Sequence, residues 1–241
     1  MFNFYIILYI ISFTWCKYTA LHFKKYSWNL FTRLMSTFNS IVCLSLVVYT
    51  CCNFTHLSSI YSDINSDIHD DLSINLLFSF SSYLFVDGLF IFSTFDFHKS
   101  LSDFKYLFLN LLILAHHFIG SLGIGLIAYT EKTLFLGIYF ACTEFSTFFL
   151  NLSWYYYDNL VFFNYFYWSF IFSRLLTLPF LWFYIYLNLS DIYLLPILQF
   201  CFVIYGCLLM TLLNLVWFIF IHFKLQKMKH NQLFQVNKVI N

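Results

Sequence analysis

Charge is what this chain has least of. Of its 241 residues only 12 are Lys or Arg and 11 Asp or Glu, a 10% share, against about 25% in average globular proteins. Hydrophobic residues make up 61% and aromatics 25%. A soluble domain of this length cannot hide that much apolar surface, and a mean hydropathy of +0.77 describes a protein whose solvent is mostly hydrocarbon. The expected fold is an all-α polytopic membrane protein. A surplus of positive charge is also missing: the formal net charge is +1, and the basic residues sit in short loops rather than in one stripe, so no nucleic-acid partner is expected. Disulfide spacing is absent as well. Cys43, Cys142, Cys201 and Cys207 lie inside apolar runs, where a thiol behaves as a small hydrophobe, and Cys51–Cys52 is the one pair to watch.

A bilayer-crossing helix needs about 20 mostly apolar residues. Seven segments approach or meet that length: Phe2 to Cys16, Leu34 to Cys52, Asn75 to Phe95, Tyr106 to Tyr129, Leu134 to Trp154, Val161 to Leu187 and Ile192 to Phe223. The first is short and needs Lys17 to snorkel at the boundary. No basic residue precedes it and no small-x-small site follows it, so it is expected to stay as an anchor rather than be removed as a signal peptide. Basic residues are retained on the cytosolic side. Lys17, Lys24, Lys25 and Arg33 in the first loop, Lys99 and Lys105 in the third, and Lys224, Lys227, Lys229 and Lys238 in the tail therefore place the amino terminus in the lumen and the carboxyl terminus in the cytosol. Lys132 and the acidic loop with Asp63, Asp67, Asp70 and Asp71 fall on the lumenal face. Residues 1–27 form the anchor and a basic loop, 28–225 the main domain and 226–241 a basic tail. No fixed-period repeat is present. Pro196 is expected in the first turn of the last span, and Pro179 should kink the sixth. The many Phe and Tyr residues are assigned to lipid-facing surfaces and interface belts, with Trp154 and the tyrosines at 155–157 as one such belt.

An ionisable group in the bilayer interior costs about 2.5–3.5 kcal/mol on insertion scales, so each should face protein or a watery cavity. The candidates are Asp87 in the third span, His116 and His117 in the fourth, Glu144 with Asn151 in the fifth and Arg174 in the sixth. Their spread over four neighbouring spans predicts one shared polar chamber. Glu144, Thr147 and Asn151 share a helix face, as do Asn110, His117 and Gly120, while His116 points about 100° away. Gly120, Ser121, Gly123 and Gly125 allow either close helix approach or room for a ligand chain. An imidazole titrates near pH 6.5 and can shuttle a proton, whereas adjacent histidines cannot both ligate from one helical face, so no metal is expected. Asp87 and Arg174 could simply neutralise each other.

These residues sit in strings that resemble the TLC-domain family, named for the TRAM, Lag and CLN proteins of endomembranes. The matching strings are WNLFTRLMSTFNS with Trp28, Arg33 and Ser36, YLFVDGLF with Asp87, LAHHFIG with His116 and His117, TEFSTFFLNLSW with Glu144 and Asn151, FSRLLTLP with Arg174 and Pro179, and LLNLVWF with Asn214 and Trp217. Asn39 stands where many relatives carry His. The resemblance implies six helices in a barrel around a membrane-embedded cavity, plus an amino-terminal helix, in the endoplasmic reticulum or another endomembrane. In the ceramide-synthase branch the paired histidines sit in the active site, where an acyl group from acyl-CoA passes to a sphingoid amine, and His116 and His117 match that pair by position. That branch's longer signature does not continue in LGIGLIAYTEKTLFLGIYFACTEFSTFFLN. The fifth-span string instead resembles a small TLC-domain branch associated with membrane lipid composition.

The first expectation is thus a lipid-handling endomembrane protein, with membrane lipids as partners and a long chain admitted to a cavity lined by His116, His117, Asp87, Glu144, Asn151 and Arg174. The second is an acyltransferase with His116 and His117 as catalytic residues and Glu144 orienting one of them, for which acyl-CoA is a substrate and no cofactor is needed. A seven-helix receptor is disfavoured, because no Asp-Arg-Tyr follows the third span and no Asn-Pro-x-x-Tyr ends the seventh. A membrane hydroxylase lacks its clustered histidine boxes. A channel stays open.

Overall fold

A computed structural model describes residues 5–12, 14, 28–52, 71–93, 104–130, 133–156 and 159–240. Among them every regular element is helical. The first segment is helical over 5–12, here α1, and the rest of the chain before 28 lies outside the described residues except for 14. The acidic loop between 53 and 70 and the basic residues Lys17, Lys24, Lys25, Lys99 and Lys132 lie outside them as well.

The long elements are α2 (Trp28–Cys52), α3 (Asp71–Ser93), α4 (Phe104–Thr130) and α5 (Leu134–Tyr155). The sixth segment is α6 (Leu160–Phe170), a π-helical turn π1 (Ile171–Leu175) and α7 (Leu178–Leu187), followed by the short α8 (Leu189–Tyr193). The seventh is α9 (Ile197–Cys201), a second π turn π2 (Phe202–Gly206) and α10 (Cys207–Ile240). Among the described residues six helical stretches are long and apolar enough to cross a membrane: Thr32–Tyr49, Leu72–Ser93, Asn110–Thr130, Leu134–Tyr155, Leu160–Leu187 and Ile197–Gln232. The last starts at Ile197 rather than Ile192, because Pro196 adopts extended backbone (φ −51°, ψ 141°) and stands just before the helix instead of inside its first turn. The tail after 226 continues α10 as helix.

Local chemistry explains the breaks. The side chain of Asn159 accepts from the Val161 N–H at 2.9 Å and so caps α6. Pro179 can donate no backbone hydrogen bond; the chain leaves the α-helix at π1 and restarts at Leu178 with the proline in the first turn. The sixth span is thereby broken where Pro179 predicts it. Several hydroxyls within the spans are satisfied by their own helices: Thr37 donates to the Arg33 carbonyl (2.8 Å), Ser173 to that of Ser169 (2.8 Å) and Thr211 to that of Cys207 (2.8 Å). Cys43, Cys142, Cys201 and Cys207 are free thiols, as their apolar surroundings predict.

The helices close into a ring in which α3 packs on α2 and α4, α2 on α5, α5 on α6, α6 on α10, and α10 on α4. Helix α1 lies against α3, where buried Tyr9 meets Ser79 Oγ at 3.1 Å and Tyr83 edge to face at 5.7 Å. The outer surface is a wall of exposed Phe, Tyr and Leu, including Phe172, Phe180, Phe183, Tyr186 and Phe223, which is the lipid-facing role expected of the aromatics.

The α3–α4 contact is the most extensive among the described helices. Ser81 Oγ donates to the Ser121 carbonyl at 2.7 Å and Ser121 Oγ to the Ser81 carbonyl at 2.8 Å, an exchange between two helix backbones. A Cβ on Gly125 would lie 2.9 Å from Ser81 Oγ, one on Gly120 3.2 Å from Leu84 Cδ1, and one on Gly88 3.2 Å from His117 Cβ. Those glycines therefore serve close approach. Gly206, by contrast, has nothing within 4 Å of such a Cβ. Gly125→Ala should cost about 1–3 kcal/mol, since it displaces a hydroxyl from a buried bond. Gly206→Ala should stay within about 0.5 kcal/mol. Thermal unfolding in one detergent checks the pair, and equal shifts would contradict this packing.

Candidate functional site

Inside the ring is a cavity of about 1000 Å³, and every long helix contributes to its wall. At one end it is lined by Thr32 and Arg33 of α2, Trp154 of α5, and Phe220, Ile221 and Lys224 of α10. It runs inward past Ser36, Tyr83, Asp87, His117 and Thr147 to a floor formed by His116, Glu144, Ser146 and Arg174. Phe163, Phe166, Phe170 and Trp217 supply an apolar side. A narrow recess of about 40 Å³ shares Leu84, His116 and Glu144 with the cavity and continues between Gly120, Gly123, Phe202, Gly206 and Met210. It has room for a water or a methyl group rather than a chain. The glycine stretch thus performs both predicted roles, with Gly120 and Gly125 packing on α3 and Gly123 leaving space.

Each sequence-predicted polar group is positioned by a local feature. Asp87 and His117 meet at 3.5 Å (Oδ2 to Nε2) because Gly88, the next residue on α3, lets the backbones of α3 and α4 come together at the His117 Cβ. Tyr83, one turn earlier, donates to Asp87 Oδ2 at 3.4 Å. His117 Nδ1 is buried with no hydrogen-bond partner among the described residues. His116 points to another part of the same wall, as the turn of about 100° between consecutive helical residues requires. Its Nδ1 lies 3.4 Å from Met210 Sδ, and its ring meets those of His117 at 5.4 Å and Trp217 at 5.0 Å edge to face.

Arg174 is the most connected group. It projects from π1, where the widened turn changes the register of the faces, and is only 4% exposed. Nε donates to Ser146 Oγ (2.7 Å) and the Thr143 carbonyl (3.2 Å), Nη1 to Asn214 Oδ1 (3.4 Å) and Nη2 to Thr147 Oγ1 (3.1 Å). Nη2 also lies 3.6 Å from Glu144 Oε1, and the guanidinium carbon sits 5.5 Å from the Phe170 ring centre and 5.6 Å from that of Trp217. A buried cation needs this density of partners, since a single lost one leaves uncompensated charge.

The structure corrects two pairings expected from the sequence. Arg174 pairs with Glu144, not with Asp87, and the carboxylate beside a histidine is Asp87, not Glu144. Helical spacing tells which residues share a face but not which faces meet. Asn151 is fully buried, yet it supports the cavity from behind and is not part of its lining: its Nδ2 donates to Ser36 Oγ (3.1 Å) and its Oδ1 accepts from Arg33 Nη1 (3.2 Å). Asn39 is buried too, with Nδ2 3.8 Å from Cys43 Sγ and Oδ1 lacking a partner among the described residues. Asn151→Ala should cost about 1–3 kcal/mol by stranding Ser36 and Arg33, read as a lowered melting temperature.

Several lining residues escaped the sequence reading. Arg33 and Lys224 were counted as loop and tail charges, and Trp154 as part of an interface belt, yet all three line the cavity. Arg33 sits 5.8 Å from the Trp154 ring centre and Lys224 Nζ 4.9 Å from that of Phe163. A signal existed for Arg33, which falls five residues after Trp28 inside the first matched string and so belongs to a helix. Phe163, Phe166, Phe170 and Trp217 likewise turn inward, a correction to assigning the aromatics to the lipid face alone. Among the described residues no three His, Cys, Asp or Glu side chains gather where they could hold a metal ion.

No curated protein and no solved structure matches the chain. The profile of the TLC domain does match, over residues 29–222, which runs from the start of α2 to the level of Lys224 and encloses every cavity-lining residue named above except Lys224 itself. With that match spanning most of the sequence, on a ring of apolar helices around a polar chamber, the chain is a multi-pass integral membrane protein and belongs to the TLC domain family.

Proposed function

We propose that this protein binds one long-chain lipid inside its helical ring and through that binding influences the lipid composition of its membrane, an endomembrane such as the endoplasmic reticulum, with the amino terminus lumenal and the carboxyl terminus cytosolic. The observation that carries the reading is the cavity itself. Ligand sites for small molecules measure about 300–1000 Å³, and at about 1000 Å³ this one lies at the upper limit. Its wall combines an aromatic side with a row of polar groups, which suits a molecule with a greasy chain and a polar end. Lipidomics of the purified protein tests it. Ile113→Trp and Leu150→Trp, which add bulk to lining residues that are only partly buried, should cut co-purifying lipid about tenfold while the protein stays monodisperse. Unchanged amount and kind of lipid would overturn the reading.

A second reading, acyl transfer from acyl-CoA with the histidines as catalytic residues, is favoured by one arrangement. His117 has the Asp87 carboxylate beside Nε2 (Oδ2 at 3.5 Å) and a buried Nδ1 with no hydrogen-bond partner among the described residues, the pattern of an imidazole held in one tautomer by a second group.

A further inference from the structure

The charges along the cavity are unevenly paired. The carboxylates on its wall are engaged inward, Asp87 by His117 and Tyr83, and Glu144 by Arg174. Of the cations, Arg174 is enclosed by its own ligands at the floor. Arg33 and Lys224 line the other end; neither has a carboxylate within 4 Å among the described residues, and Asp87 lies within longer electrostatic reach of Arg33. They come from α2 and α10, helices that are not neighbours in the ring, so they face the same space from different walls. Each is held by a ring face, Trp154 for Arg33 and Phe163 for Lys224, which limits how far the charge can swing away. Arg33 is anchored further by Asn151 Oδ1 at 3.2 Å through Nη1, and its other guanidinium donors have no bond with a described residue. Thr32 stands beside it on the same wall.

Two cations at one end of a chamber that also offers an aromatic side, Phe166, Phe170 and Trp217, match a tetrahedral oxyanion carried on an acyl chain. Guanidinium and ammonium groups bind phosphate oxygens through charge-assisted hydrogen bonds, and a planar guanidinium can hold two oxygens at once. We infer that the lipid taken by this cavity bears a phosphate group, held between Arg33 and Lys224, with its chain directed inward past Asp87 and His117 towards His116. The inference rests on the lipid-binding reading above and names the class of lipid. A phosphate of this kind is found on a lysophospholipid or phosphatidic acid and also on the coenzyme of a fatty acyl thioester, and the experiment separates these sources.

Binding is measured by microscale thermophoresis or tryptophan quenching on the full-length protein in a neutral detergent, with three probes of equal oleoyl chain: lysophosphatidic acid, monoolein and oleoyl-CoA. Lysophosphatidic acid should bind about tenfold or more tightly than monoolein, the effect expected of one or two charge-assisted hydrogen bonds, and the advantage should shrink as salt is raised. Arg33→Gln with Lys224→Gln should remove the advantage, bringing lysophosphatidic acid to the affinity that the same variant shows for monoolein. Arg33→Lys with Lys224→Arg keeps both charges and should retain most of it, which separates loss of charge from loss of folding. Phosphate-dependent binding seen with oleoyl-CoA alone, and lost in the double Gln variant, also supports the inference and assigns the phosphate to a thioester donor. Equal affinity for all three probes, or an advantage that survives the double Gln variant, overturns the phosphate inference while leaving the lipid-binding reading standing. No binding of any probe overturns both.

Discussion

Arg174→Ala should leave a chain that barely holds its fold, with a loss of about 3–5 kcal/mol. Removing the guanidinium strands Glu144, only 5% exposed, together with Asn214 Oδ1 and the hydroxyls of Ser146 and Thr147. It also empties the space between Phe170 and Trp217. Glu144→Ala should cost a comparable amount, because it leaves a guanidinium that cannot give up its proton. Glu144→Gln should be milder, about 1–3 kcal/mol, as an amide oxygen of the same shape still faces Nη2 across the 3.6 Å gap. The double variant Arg174→Met with Glu144→Leu should be less harmful than the sum of its parts, since a buried ion pair replaced by apolar side chains is often neutral. Unfolding midpoints in one detergent give the comparison. If Arg174→Ala melted like the native protein, the floor of the chamber would not be assembled as described.

The second large effect belongs to the acyl-transfer reading. With a long-chain acyl-CoA and sphingoid or lysolipid acceptors, product measured by mass spectrometry should fall about 10²–10⁴-fold in His117→Ala, the range for a positioned acid or base. Asp87→Asn keeps the shape and the contact with Tyr83 but removes the charge that holds the imidazole. It should lower kcat less than His117→Ala does, with little change in KM, a split that a purely structural role would not produce. His116→Ala should have the smaller effect of the two histidine changes, because its Nδ1 faces Met210 Sδ at 3.4 Å rather than a carboxylate. A loss confined to His116→Ala would contradict the assignment of His117 as the base, and no product with any acceptor would retire the acyl-transfer reading.

Much of the architecture was legible from the apolar runs, because bilayer thickness sets a length that six segments satisfy. The membership of the chamber was legible too, since the cost of an ionisable group in hydrocarbon drives Asp87, His116, His117, Glu144 and Arg174 inward, and all five line one cavity. The partners were not. Which carboxylate meets which base depends on how helices are rotated and how near they come, and that is set by features of single residues: Gly88 against His117, the exchange between Ser81 and Ser121, and the wide turn at Ile171–Leu175. The first π turn has Pro179 as its sequence signal, but the second, at Phe202–Gly206, has no proline within it. Basic residues near a span boundary carry two meanings: Lys224 enters the sequence analysis only for the orientation it implies, and Arg33 for orientation and for the string that resembles the family, neither as a lining residue.

The central claim is that a lipid chain occupies the interior of the ring, among the titratable side chains, and not only its outer surface. Photolysis of a long-chain lipid carrying a diazirine midway along its acyl chain, followed by peptide mapping, addresses it directly. The account predicts saturable adducts, lost on competition with unlabelled lipid, at the lining residues Leu84, Ile113 and Leu150. Saturable labelling found instead only at outward-facing Phe180, Leu212 and Phe223 would contradict it.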